Sequence, residues 1–126
     1  MLTSNMRTLS TQVRLRRLVR LFGESVDRLA SEPFELRRAG SVSDRLIELV
    51  DDVRDAWSAE SRLRPPESAL ERYVDESLRT LELAAAGLQQ AGADLELLRR
   101  DFEAAALPLE VFLRGLDGEP ALQRTA

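Results

Sequence analysis

The sequence predicts an all-α fold, an antiparallel up-down-up-down four-helix bundle with a Pro-kinked last helix. Apolar residues recur at helical spacing in four segments, and glycine or proline lies at the ends of these segments. The connections after the second and third segments are short, which favours antiparallel neighbours. The 126 residues suffice for one domain with its own core. The predicted organisation is a disordered N-terminus at 1–8, a bundle at 9–117 with helices at about 9–30, 41–64, 66–91 and 94–116, and a disordered tail at 118–126.

The first predicted helix has one apolar face and a largely charged opposite side. On the charged side, Glu24 and Arg28 have the spacing of a favourable i,i+4 ion pair. Val13 and Leu21 lie off the apolar face, so we expect both to be exposed in a monomer. The residues of the apolar face are Leu15, Leu18, Val19, Phe22, Val26 and Leu29.

The second predicted helix follows a linker over residues 31–40, in which Pro33 disfavours helix and Gly40 can close the turn. Ser41 is a suitable N-cap. On a helical wheel, one arc is apolar and the opposite arc is acidic, so the carboxylates are expected to face away from the core. The apolar arc contains Val42, Leu46, Leu49, Val50, Val53, Ala56 and Trp57. The acidic arc contains Asp44, Glu48, Asp51, Asp52 and Asp55.

The third and fourth predicted helices are separated by a short turn, in which Gly92 suits a left-handed conformation and Asp94 is an N-cap. The small residues 84–87 near the end of the third helix allow a neighbouring helix to approach closely. The apolar phase of the fourth helix continues through Pro108, which predicts one kinked helix and not two separate ones. The apolar face of the third helix contains Leu70, Tyr73, Val74, Leu78, Leu81, Ala84, Ala85 and Leu88. That of the fourth contains Leu95, Leu98, Phe102, Ala105, Ala106, Leu109, Phe112, Leu113 and Leu116.

The composition excludes several classes of chemistry. The chain has no Cys, no His and no Lys, and its 18 basic residues are all Arg. Thiol nucleophiles, Ser-His-Asp catalysis, His-ligated metals and Schiff-base chemistry are therefore excluded. No apolar run is long enough for a membrane span, and the N-terminal segment is interrupted by arginines. We expect a cytoplasmic protein without a cofactor.

Two acidic pairs have a spacing found in one family of enzymes. Glu32 and Glu35 form one pair, and twelve residues separate it from a second pair, Glu48 and Asp51. This pattern resembles the metal-binding pattern of the all-α nucleoside-triphosphate pyrophosphohydrolases. The resemblance implies two carboxylate pairs that hold Mg²⁺ against a triphosphate. In this chain Pro33 interrupts the first pair, and the helical wheel directs the second pair outward. An enzyme of this type is therefore an alternative, and the leading prediction is non-enzymatic.

The charges are distributed unevenly along the chain. Residues 1–31 carry six Arg and two acidic residues, whereas residues 41–126 have a net charge of −8. A basic first helix could contact phosphates, which makes nucleic-acid binding a further alternative. However, the chain has a pI of about 5.0, and no aromatic residues alternate with these arginines to stack on bases. A protein partner fits this charge distribution better than a nucleic acid.

The fourth predicted helix carries a second apolar stripe, away from its core face. Its residues are Leu97, Ala104, Leu107 and Val111. Position 104 comes seven residues after position 97, and position 111 comes seven residues after position 104, which is heptad spacing. Leu83 on the third predicted helix is off its core face in the same way. A monomeric bundle does not need these residues, so we predict that they form the interface of a homodimer.

Together, these patterns predict a non-enzymatic helical interaction or regulatory protein that binds another protein as a homodimer. No catalytic residue, metal site, small-molecule cofactor or membrane contact is predicted. The predicted partner-binding residues are Arg14, Arg16, Arg17, Arg20, Asp44, Glu48, Asp51, Asp52 and Asp55.

Overall fold

The computed structural model describes residues 2–31, 36–62, 68–90 and 92–116, and all of its regular structure is helical. No strand occurs within these ranges. The predicted all-α class is therefore confirmed, and four helices are consistent with a four-helix bundle. The helices are α1 (Leu2–Ser31), α2 (Leu36–Ser61), α3 (Ser68–Gly87) and α4 (Leu95–Leu116).

Two helices begin earlier than the sequence predicts. The first begins at Leu2, whereas the sequence predicts a start at about residue 9. The second begins at Leu36, which places Gly40 and Ser41 inside the helix. The prediction that Ser41 caps α2 and that Gly40 closes the preceding turn is therefore wrong. The cost of an interior glycine, about 1 kcal/mol, is small beside the tertiary packing that this first part of α2 makes.

The third helix ends at Gly87, before the predicted end at residue 91. The chain then continues in tighter turns, in which the amides of Leu88 and Gln89 donate to the carbonyls of Ala85 and Ala86, three residues back. These bonds satisfy carbonyls that a helix end leaves without an intrahelical partner. The predicted end of α2 at residue 64, the predicted start of α3 at residue 66 and the predicted disordered tail at 118–126 lie outside the described residues.

Gly92 and Asp94 lead the chain into α4 as predicted. Gly92 has a φ of +75°, a left-handed conformation that glycine adopts without steric cost. The Asp94 carboxylate accepts a hydrogen bond from the Leu97 amide, with an Oδ1–N distance of 3.1 Å. This is the N-cap interaction expected from the sequence.

The four helices share one apolar core. The first helix packs against α2 and α4, and α3 packs against the same two helices. Phe22 and Phe102 stack face to face at the centre of the α1–α4 contact, with ring centroids 3.9 Å apart. Trp57 is also buried. Most residues of the four predicted apolar faces are buried or half-buried, which confirms the helical periodicity as the signal that determines the core.

Two close contacts fix α3 against its neighbours. The Ser43 hydroxyl of α2 donates to the Ala85 carbonyl of α3 at 2.7 Å, in the interior of the protein. A Cβ added at Gly87 would lie only 2.8 Å from Leu98 Cδ2, so α3 and α4 approach closely there. This confirms the close approach predicted for residues 84–87.

The last helix is assigned without interruption from Leu95 to Leu116, with Pro108 inside it. One continuous helix through this proline is what the apolar phase predicts. In the part of the chain that the structure describes, no helix combines the length and the apolar character needed to cross a bilayer.

Candidate interaction surfaces

The second apolar stripe of α4 lies on the surface, as the helical wheel requires. Leu97, Leu107 and Val111 are 48%, 50% and 58% exposed, and Ala104 is also exposed. These four residues, called the outer stripe below, lie opposite the buried side of the same helix. The structure does not show whether they meet a second copy, so their role in a dimer stays a prediction.

Charged residues flank the outer stripe. A shallow depression of about 490 Å³ lies on the outer side of α4, with Ala104, Leu107 and Pro108 among its lining residues. Its other lining residues are Glu96, Arg99, Arg100 and Glu103. An apolar strip between charges of both signs is the arrangement found on helices that pair with another helix. Leu83, on α3, is 65% exposed.

The structure separates the four arginines that the sequence groups as one surface. Arg16 is directed toward α4, where its Nε lies 2.7 Å from Glu110 Oε1. Arg20 has Glu24 as a distant partner, with 3.8 Å between Nε and Oε2. Glu24 thus has Arg20 as its partner, and the Glu24–Arg28 ion pair expected from the sequence does not form. Arg14 and Arg17 are exposed on the side of α1 that faces α2.

The five residues of the acidic arc of α2 are exposed, as the helical wheel predicts, but several have arginine neighbours, and Glu60 near the end of the helix is buried. Asp51 Oδ1 lies 2.7 Å from Arg54 Nη1, and Glu48 Oε2 lies 3.5 Å from Arg45 Nη1. Asp44 is exposed near the beginning of α2. Whether this acidic surface binds a partner stays a prediction.

Asp52 and Asp55 line the half of the α1–α2 groove that lies toward the end of α2, and Arg14 lies in the same half. The Arg14 guanidinium donates to Ser10 Oγ, with an Nε–Oγ distance of 3.2 Å. Residues that the sequence assigns to two separate surfaces, basic and acidic, thus meet in one half-groove of mixed charge.

The other half of the same groove, toward the beginning of α2, is basic. Arg17 and Arg28 of α1 and Arg45 of α2 surround a floor that includes Leu21 and Val42. These five residues are called the arginine groove below, and the cavity has a volume of about 380 Å³. Sequence reasoning missed Arg28 and Arg45 because they come from two helices and come together only when α1 packs on α2. Leu21 is half-buried here because α2 packs beside it, so the prediction that it is exposed is wrong. This leucine off the core face of α1 is the weak sequence signal for the groove.

The metal-site resemblance finds little geometric support among the described residues. Glu32 and Glu35 lie outside them. Glu48 and Asp51 are exposed, and each lies beside an arginine. Within the described ranges no group of three or more carboxylates is arranged to hold a metal ion.

Comparisons with protein-family models, curated proteins and solved structures give no match for this chain.

Proposed function

We propose that this protein is a non-enzymatic helical interaction or regulatory protein that binds another protein and acts as a homodimer. The observation that carries the proposal is the outer stripe, a row of exposed aliphatic side chains along the whole of α4. Removing the exposed parts of these side chains from water contributes a few kcal/mol in total to association, before the costs of binding. A helix that only completes a monomeric bundle has no need of this second apolar side.

The proposed bundle has antiparallel, up-down-up-down topology. The order of contacts along α1 and α4 supports it, because Arg16 contacts Glu110 whereas Phe22, later in α1, contacts Phe102, earlier in α4. Tyr73 at the beginning of α3 also packs on Phe112 near the end of α4. In this topology the outer stripe extends along one flank of the bundle, where a second copy can reach it.

We further propose that Pro108 kinks α4 and shapes the dimer surface. Proline lacks the amide that would donate to the carbonyl of Ala104, and its ring crowds that carbonyl. Both residues are exposed, so the Ala104 carbonyl can accept a hydrogen bond from water or from a second chain. In a two-fold dimer the same patch meets itself, so every contact occurs twice.

Sedimentation of the purified chain at micromolar concentration tests the proposal. We expect a dimer for the natural sequence. Val111→Glu should weaken the dimer about a hundredfold, because the lost apolar contact and the added charge occur twice in a two-fold interface.

Val13→Glu is the matched control, because Val13 is 52% exposed and lies on α1, outside the outer stripe. This variant should sediment as the natural protein does. A clean monomer for the natural sequence would reject the homodimer, and equal weakening by both substitutions would show that the interface lies elsewhere.

A further inference from the structure

The arginine groove brings three guanidinium groups around an aliphatic floor. Arg17 and Arg28 come from α1 and Arg45 from α2, and all three are exposed. Leu21 and Val42 are half-buried between them, so each keeps part of its side chain open to the groove. The hydroxyl groups of Ser25 and Ser41 are also among its lining groups.

The positive charges of this groove are poorly compensated by the residues that the structure describes. Among the described residues, neither Arg17 nor Arg28 forms an ion pair with a carboxylate. Within the described ranges, the ion pair of Arg45 is a contact of 3.5 Å with Glu48, three residues along the same helix. Glu24 also lines the groove, but its nearest basic partner is Arg20. The groove therefore keeps a net positive charge that a ligand can neutralise.

We propose that the arginine groove binds an acidic segment of a partner protein, in which carboxylates alternate with aliphatic side chains. Guanidinium groups bind carboxylates with paired, planar hydrogen bonds and are less strongly hydrated than ammonium groups. The aliphatic side chains of the segment would cover Leu21 and Val42, while its carboxylates meet the three arginines. This inference rests on the proposed function, because it names the kind of protein partner that the molecule binds.

The same groove fits a nucleic acid less well. A phosphate backbone needs a continuous basic track, but the groove turns acidic at Asp52 and Asp55 only a few helical turns away. Among the residues that the structure describes, no aromatic side chain lines the arginine groove to stack on a base, whereas its floor is aliphatic. Charge and floor together favour an acidic, partly apolar peptide.

A selection from a random peptide library tests the proposal, with the full-length protein as the immobilised target. We expect enriched peptides that combine Asp or Glu with Leu, Ile, Val or Phe. The same selection is repeated on a variant with Arg17→Gln, Arg28→Gln and Arg45→Gln, which keeps polar side chains but removes three charges. Enriched peptides, resynthesised with a fluorescent label, should bind this variant at least about tenfold more weakly.

The matched control carries Arg62→Gln, Arg72→Gln and Arg79→Gln, three exposed arginines outside the groove and the outer stripe that give the same change in net charge. Its affinity for the peptides should equal that of the natural protein. Circular dichroism checks that both variants are folded. Peptides without an acidic bias, no enriched peptides at all, or equal loss in both variants would overturn the proposal. So would tight binding of a mixed-sequence oligonucleotide that displaces the peptides.

The proposed homodimer and the proposed peptide binding by the arginine groove can be rejected independently of each other. Val111→Glu should leave peptide affinity unchanged, because Val111 is outside the groove, and the groove variant should remain dimeric. A monomeric protein that still selects acidic peptides would reject the homodimer and keep the groove. A dimer that selects no acidic peptide would reject the groove and keep the homodimer.

Discussion

Ser43 illustrates how one residue completes the end of a neighbouring helix. Because α3 ends at Gly87, the carbonyl of Ala85 has no regular i+4 donor and accepts from the Leu88 amide at 3.3 Å. The buried Ser43 hydroxyl supplies a second and shorter hydrogen bond to the same oxygen. A polar residue at this buried position of α2 is therefore satisfied, whereas a helical wheel alone would count it as a defect in the apolar face.

Two glycines of the bundle should respond to alanine in opposite directions. Gly23 lies within α1, and a Cβ there would meet only Arg99 Nη1 at an ordinary 3.8 Å. We expect Gly23→Ala to raise the free energy of unfolding by about 0.5–1 kcal/mol, through helix propensity. Gly87→Ala should lower it by about 1 kcal/mol, because the new methyl group would overlap Leu98.

Urea denaturation of the two variants, followed by circular dichroism, measures both effects. Each variant is the control for the other, because the substitution is the same and only the surroundings of the glycine differ. A gain in stability from Gly87→Ala would mean that Leu98 moves aside easily and that the close α3–α4 approach is not required.

At the scale of the helix, periodicity predicts the core well and the helix ends poorly. The apolar arcs correctly place Leu46, Val50 and Trp57 in the interior, because burial follows the helical repeat. Gly40 and Ser41 have the chemistry of a helix boundary, yet α2 continues through them. The reason is tertiary, since Ala39 is completely buried, and a single sequence does not contain that contact.

The last helix keeps its proline at a cost in stability. We expect Pro108→Ala to raise the free energy of unfolding by about 1–3 kcal/mol, since alanine restores the amide donor to the Ala104 carbonyl and relieves the crowding. The comparison is made between the Val111→Glu variant and the same variant with Pro108→Ala added, so that dimerisation does not contribute to the difference in stability. Urea denaturation with a linear extrapolation suffices.

Substitution of a surface alanine provides the reference for that experiment. Ala104→Ser is conservative and leaves the proline in place, so its effect should be small. If Pro108→Ala lowers stability, the path of α4 has adapted to the proline, and the proposed kink contributes to the packing of α4 on the bundle.

For the whole molecule, the sequence predicts which side chains are exposed but not how they combine. The exposed positions of the outer stripe follow from one helix, so the wheel finds them. The arginine groove needs α1 and α2 side by side, and Arg16 is drawn away to Glu110 on α4. One predicted basic surface therefore becomes several smaller sites, since neighbouring helices redistribute the charges of α1.

A homodimer makes thermal stability depend on protein concentration. Because only folded chains can pair through the outer stripe, mass action favours the folded state as concentration rises. We expect Tm to increase by a few degrees between about 1 and 100 µM for the natural sequence. Differential scanning calorimetry at several concentrations measures this.

In the Val111→Glu variant, the same series should give a nearly constant Tm. A Tm independent of concentration in the natural protein would contradict the homodimer, whatever the arrangement of its two chains. A rise of equal size in both proteins would place the association at a different surface.

Trp57 is the only tryptophan in the chain, and it is almost completely buried on α2. Its indole emission is a built-in optical signal of the packed interior, which shifts to longer wavelength when water reaches the ring. Neither the outer stripe nor the arginine groove includes this residue. The protein thus carries an intrinsic label for unfolding that stays silent during association, and each experiment above can be monitored for loss of structure without an added dye.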